Sequence, residues 1–140
     1  MSPGSVRQLR LVVMADDYEA ALTFYRDVLG MPELESYQAD GGALVTILDA
    51  GRATLELANP AQVAYIDQVE VGRPASREIR VALEVADVTA LTEAATSGGA
   101  HLIAPPTRTP WDSMNARLEG PAGLQLTLFE ELTDQQHPSV

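Results

Sequence analysis

A chain of 140 residues is one domain's worth, and its lack of cysteine excludes disulfides and thiolate chemistry. A formal net charge of −11 argues against a nucleic-acid partner, because phosphates are held by Lys/Arg clusters that are absent here. No stretch approaches the roughly 20 apolar residues of a membrane span, and the N-terminus lacks a signal-peptide pattern, so a soluble cytoplasmic protein without a membrane partner is expected.

In chain order, an apolar run around Leu9–Met14 reads as a strand that opens directly into an amphipathic helix. Asp16 or Asp17 is the expected cap, with Glu19 placed for a capping box with Asp16. Ala21, Phe24, Tyr25, Val28 and Leu29 recur at helical spacing and predict one apolar face. Gly30 stops the helix, and "ESYQAD", "ALVTILD" and "ATLELA" follow as strand-like runs. The polar segment Asn59 to Glu78, punctuated by Pro and Gly, reads as a linker or long loop. The plan then repeats: "RVALEVADVTALTEAA" from Arg80 echoes "RLVVMADDYEAALTFY" from Arg10, 70 residues earlier, and Asp87 echoes Asp17. Gly98 and Gly99 end the second helix, and "HLIAPP", "MNARLEG" and "LQLTLFEE" are its strands. Module one therefore spans about 8–58, the linker 59–78, module two about 79–131 and a tail 132–140, within a single domain 1–140.

Alternate side chains on a strand face opposite ways. Leu9, Leu11 and Val13 share a face, as do Leu55 and Leu57, then Ile79, Val81, Leu83 and Val85, and Leu124, Leu126 and Leu128. Those aliphatic faces suit helices. The opposite faces carry Arg10, Val12 and Met14; Thr54 and Glu56; Arg80, Ala82 and Glu84; Gln125, Thr127 and Phe129. In a flat sheet such mixed faces are simply solvated. In a curled sheet they converge as the polar groups of a small-molecule site.

The residues "DDYEAALTFYRDVLGM", "VADVTALTEAATSGGAHLIAPP" and "TPWDSMNARLEGPAGLQLTLFEE" resemble the vicinal oxygen chelate superfamily, which holds glyoxalases, bleomycin-resistance proteins and extradiol dioxygenases. Pro110, Trp111, Arg117, Pro121 and Gly123 resemble its closing hairpin. The resemblance implies an α+β fold in which two βαβββ modules form an open, curled eight-stranded sheet around a pocket, often completed in a homodimer. It also implies a divalent metal in catalytic members, held at the positions that are Arg10, Glu56, Arg80 and Thr127 here. Only Glu56 is a ligand type, and a guanidinium has no lone pair to offer, so neither metal nor cofactor is expected. His101 and His137 match no functional position of the family.

Two readings of the arginines stay open: an internal Arg10–Glu56–Arg80 ion-pair plug of formal charge +1, or a site for a carboxylate, phenolate or quinone oxygen. The acidic chain as a whole would attract a cation, but local charge outweighs a screened global field. Tyr37, Tyr65, Trp111 and Phe129 are candidates for stacking on a flat ligand, and Met14 for an adaptable apolar contact. The expected ligand-binding set is Arg10, Val12, Met14, Tyr37, Glu56, Tyr65, Arg80, Trp111, Gln125, Thr127 and Phe129, with no catalytic residue assigned. The expectation is a metal-independent binding protein that sequesters a bulky, partly aromatic antibiotic or metabolite. A family enzyme acting through Glu56 with Arg10 or Arg80, and a structural or regulatory dimer, are the alternatives.

Overall fold

The computed structural model describes residues 6–28, 30–120 and 123–133. Leu29, Pro121 and His137 lie outside the described residues. β1 (Val6–Met14) leads into α1 (Tyr18–Leu22), which continues as a π-helical stretch (Thr23–Val28). β2 (Glu33–Ala39), β3 (Ala43–Asp49) and β4 (Thr54–Ala58) complete the first module. After α2 (Pro60–Glu70) come β5 (Ile79–Val85), α3 (Val88–Ser97), β6 (His101–Arg108), β7 (Ser113–Glu119) and β8 (Gln125–Glu131).

The strands form one eight-stranded sheet in the order β2-β3-β4-β1-β5-β8-β7-β6. Within each module the first and last strands pair in parallel, β1 with β4 and β5 with β8. The modules meet where β1 and β5 pair antiparallel. Repeat-related Leu11 and Val81 face each other there, Arg10 lies opposite Ala82, and Val12 opposite Arg80. The join is thus an approximate two-fold axis, and it carries both arginines to the middle of the sheet.

The aliphatic faces do what their alternation predicts. Tyr18 and Leu22 of α1 pack on Leu48, Leu55 and Leu57, flanked by Leu11 and Val13. Val88 of α3 packs with Val85, Ala116, Leu118 and Leu128, flanked by Leu83 and Leu91. Burying such a side chain contributes about 1.5–3 kcal/mol. Leu9, Ile79 and Leu124, on the same strand faces, remain exposed.

Three local expectations need correction. The cap of α1 is Asp17, which accepts from the Ala20 N–H, so Asp16 and Glu19 form no capping box around it. The apolar face of this helix is Tyr18, Ala21, Leu22 and Tyr25, whereas Phe24 and Val28 are exposed. The chain widens into π-helical turns after Leu22, and the altered period rotates later residues away from the face an α-helix would give them. The linker is not a long loop, since most of its first half is α2. Asn59 caps this helix by accepting from the Gln62 N–H, and Pro60 starts it at a position where a missing N–H costs nothing. Its buried residues are Gln62, Asp67 and Glu70, so the polar side faces inward and the usual amphipathic signal is inverted. Asp87 caps α3 as Asp17 caps α1, accepting from the Ala90 N–H.

Candidate ligand cavity

The face of the sheet opposite α1 and α3 encloses a cavity of about 230 Å³. From β1 and β5 come Arg10, Val12, Arg80 and Ala82; from β4 and β8, Glu56, Thr127 and Phe129. Tyr37 reaches it from β2, and Trp111 from the turn between β6 and β7. α2 supplies a wall with Gln62, Tyr65, Ile66 and Glu70, whose spacing puts them on one helical face. Asn115 of β7 also lines the cavity. Met14 and Gln125 do not line the cavity. Met14 ends β1 beside Ala58, and Gln125 is turned to the 75–77 segment, where its Nε2 donates to the Ala75 carbonyl. His101 is exposed at the start of β6, away from the cavity.

Arg10 is only 3% exposed. Its Nε donates to Gln8 Oε1 and its Cζ lies 5.2 Å from the centre of the Phe129 ring, a cation–π distance. Nη1 is 3.9 Å from Glu56 Oε1, too long for a hydrogen bond, and this buried atom has no partner. Arg80 instead donates from Nη1 to Thr127 Oγ1 at 2.6 Å. Among the described residues Glu56 forms an ion pair with Arg10 alone, so the three-residue plug, one of the two readings left open, is not closed. Burial pushes the Glu56 carboxyl up, while Arg10 and then Arg80 pull it down. Burial likewise pulls Arg80 down, opposed chiefly by Glu70.

The expected charge of +1 is also corrected by groups that the linker reading hid. Arg117, fully buried, donates to Asp67 Oδ1 at 3.0 Å and Glu70 Oε1 at 2.7 Å. Three arginines (Arg10, Arg80, Arg117) thus face three carboxylates (Glu56, Asp67, Glu70). Burial pushes the Asp67 carboxyl up, but N–H groups of Ala75 and Ser76, the Ser76 hydroxyl and Arg117 hold it below its ordinary value. Asn115 Nδ2 donates to Glu70 Oε2 at 2.7 Å, and Ser113 Oγ donates to Asn115 Oδ1 at 2.6 Å. This buried chain ties α2 to the turn that carries Trp111. The turn places Asp112 at a φ of 63°, a left-handed conformation that Asp tolerates better than most residues.

Aromatic rings line much of the cavity. Trp111 and Tyr65 approach with centroids 6.3 Å apart, and the buried Trp111 Nε1 has no hydrogen-bond partner. The Tyr37 hydroxyl donates to Glu35, and burial together with that carboxylate pushes it up to about 12. Thr127, Arg10 and Arg80 cannot serve as the ligand set for a divalent metal beside Glu56. Among the described residues no group of three or more His, Cys, Asp or Glu is placed to hold one.

Solved structures share this architecture. A hypothetical protein from Bacillus halodurans superposes with a TM-score of 0.70 at 17% identity, covering 96% of this chain and 99% of that one. A glyoxalase/bleomycin resistance protein/dioxygenase superfamily member from Vibrio splendidus gives 0.64 at 12%, covering 91% and 100%. Methylmalonyl-CoA epimerase from Mycobacterium tuberculosis gives 0.61 at 20%, covering 91% and 88%. No curated protein matches the chain. The family model described as Glyoxalase/Bleomycin resistance protein/Dioxygenase superfamily matches residues 7–128, and with its paired βαβββ modules the chain belongs to that superfamily.

Proposed function

We propose that this chain is a metal-independent binding protein that sequesters a flat, partly aromatic small molecule, an antibiotic or an aromatic metabolite. The observation that carries this reading is a cavity ringed by Tyr37, Tyr65, Trp111 and Phe129, two of whose lining residues, Arg10 and Trp111, each carry a buried donor without an acceptor, Nη1 and Nε1. Buried donors left unmade are costly, and a ligand oxygen would satisfy them. The volume narrows the expected bulk: an engineered cavity of about 150 Å³ holds benzene, so about 230 Å³ suits one or two rings. A cytoplasmic homodimer is part of the same proposal. Incubation with a panel of one- and two-ring aromatics, followed by equilibrium dialysis and mass spectrometry, tests it. Retention of at least one compound unchanged is expected, and chemical conversion of the retained compound would overturn sequestration.

One observation favours a second reading. Glu56 is a carboxylate in a cavity wall without a hydrogen bond among the described residues, and burial pushes it up, the condition of a general base. In that reading Glu56 moves a proton of a ligand whose oxygen rests on Arg10. Turnover lost in Glu56→Gln, with binding retained, would decide for it.

A further inference from the structure

We propose that the cavity takes an aromatic monoanion of one or two rings, its oxyanion seated on Arg10, and that Glu56 is the built-in counter-anion with which this ligand competes. The inference rests on the ligand-binding reading above and names the chemical class of the ligand. The three guanidiniums in and behind the wall are not equivalent. Both Nη atoms of Arg117 are bonded, to Asp67, Glu70 and Ser76, and its unpartnered Nε belongs to a residue outside the cavity lining, while Arg80 is engaged with Thr127. Arg10 alone of the three presents a buried Nη without a partner, 3.9 Å from a carboxylate it does not reach. Trp111 Nε1 is a second buried donor in the same wall. The two buried atoms without partners in this wall are both donors, so the ligand atoms that meet them are acceptors, and beside a guanidinium an anionic oxygen forms the stronger bond.

Net charge does not supply the attraction, because three arginines and three carboxylates balance. The discrimination lies in position. Glu56 faces Arg10, Arg80, Glu70 and Glu35, and it makes no hydrogen bond among the described residues. It therefore partly neutralises Arg10 without occupying the donor's bonding position, and an incoming oxyanion meets both the free donor and this carboxylate. Removing the Glu56 charge leaves the cluster at +1 next to the vacant donor. Phe129, under the Arg10 guanidinium, and the Tyr65–Trp111 pair supply flat apolar surface for the rings.

Calorimetric titration of the full chain with 1-naphthoate and its uncharged isostere 1-naphthamide tests this. The wild type is expected to bind naphthoate at least about tenfold more tightly, the scale of one charge-assisted hydrogen bond. Glu56→Gln is expected to strengthen naphthoate binding by about tenfold, one hydrogen-bond equivalent, and to leave naphthamide unchanged. The pair Arg10→Met with Glu56→Gln, which leaves no buried charge unpartnered at this position, is expected to bind both probes alike. Equal affinities in the wild type, or naphthoate binding unchanged or weakened by Glu56→Gln, would overturn the inference and leave the ligand-binding reading standing. Absence of heat with either probe at millimolar concentration overturns both. The wild-type comparison decides the case even where a variant does not fold.

Discussion

Arg117 holds two acids of α2 at zero exposure, and its removal leaves both Asp67 and Glu70 buried beside no bonded cation. Arg117→Ala is therefore expected to cost about 3–5 kcal/mol, read as a lower urea midpoint. Asp67 gives a pH signature. Its folded value lies below the ordinary 3.8, so its stabilisation is present above the unfolded value and is lost as pH falls through the folded one. The stability gap between wild type and Asp67→Asn is expected to be largest near neutrality and to close toward pH 2, measured by urea unfolding across pH. Glu56 acts with the opposite sign. Burial raises its folded value, so its contribution is present below the unfolded value and is lost as pH rises through the folded one. Arg10 was legible at this scale from alternation alone, whereas Asp67 and Glu70 were not, because their positions in a polar segment resemble those of solvated residues.

Among the elements, α2 was the one the chain concealed. Its inward face is Gln62, Asp67 and Glu70, so periodicity counts of apolar residues find no stripe. The start signal was present, with Asn59 before Pro60. Asn59 does more than cap: its Oδ1 also accepts from the Leu44 N–H, and its Nδ2 donates to the Gly42 carbonyl at 2.7 Å. Asn59→Ala is expected to destabilise the chain by about 1–2 kcal/mol. Hydrogen exchange should quicken in α2 while β5 stays protected, since the cap belongs to the helix and the strand to the sheet centre. The repeat made β1, α1, β5 and α3 legible, because each combines a period-2 run with an Asp cap that recurs 70 residues on. The π-helical turn after Leu22 was not legible, because the apolar spacing along the chain carries no sign of the altered period.

For the molecule as a whole, the β1–β5 join carries the architecture. Val81→Pro places a residue without an N–H between two paired neighbours, and is expected to abolish cooperative unfolding of both modules rather than one, seen by circular dichroism. Extended dialysis against EDTA, or addition of Zn²⁺, is expected to leave Tm unchanged, because only a bound ion selective for the native state would shift it. A metal-dependent shift would contradict the reading of the Arg10 and Arg80 positions. The sequence by itself determined the two-module plan and which strand faces are aliphatic, and its resemblance to the superfamily implied that two arginines stand where catalytic members keep ligands. The first two follow from alternation and repetition, which are local. Tertiary structure decided that Glu56 stands apart from Arg80, that Arg117 is sealed by α2, and that Arg10 keeps a free donor. Each depends on ångström distances between residues from different strands and helices, which no spacing along the chain encodes.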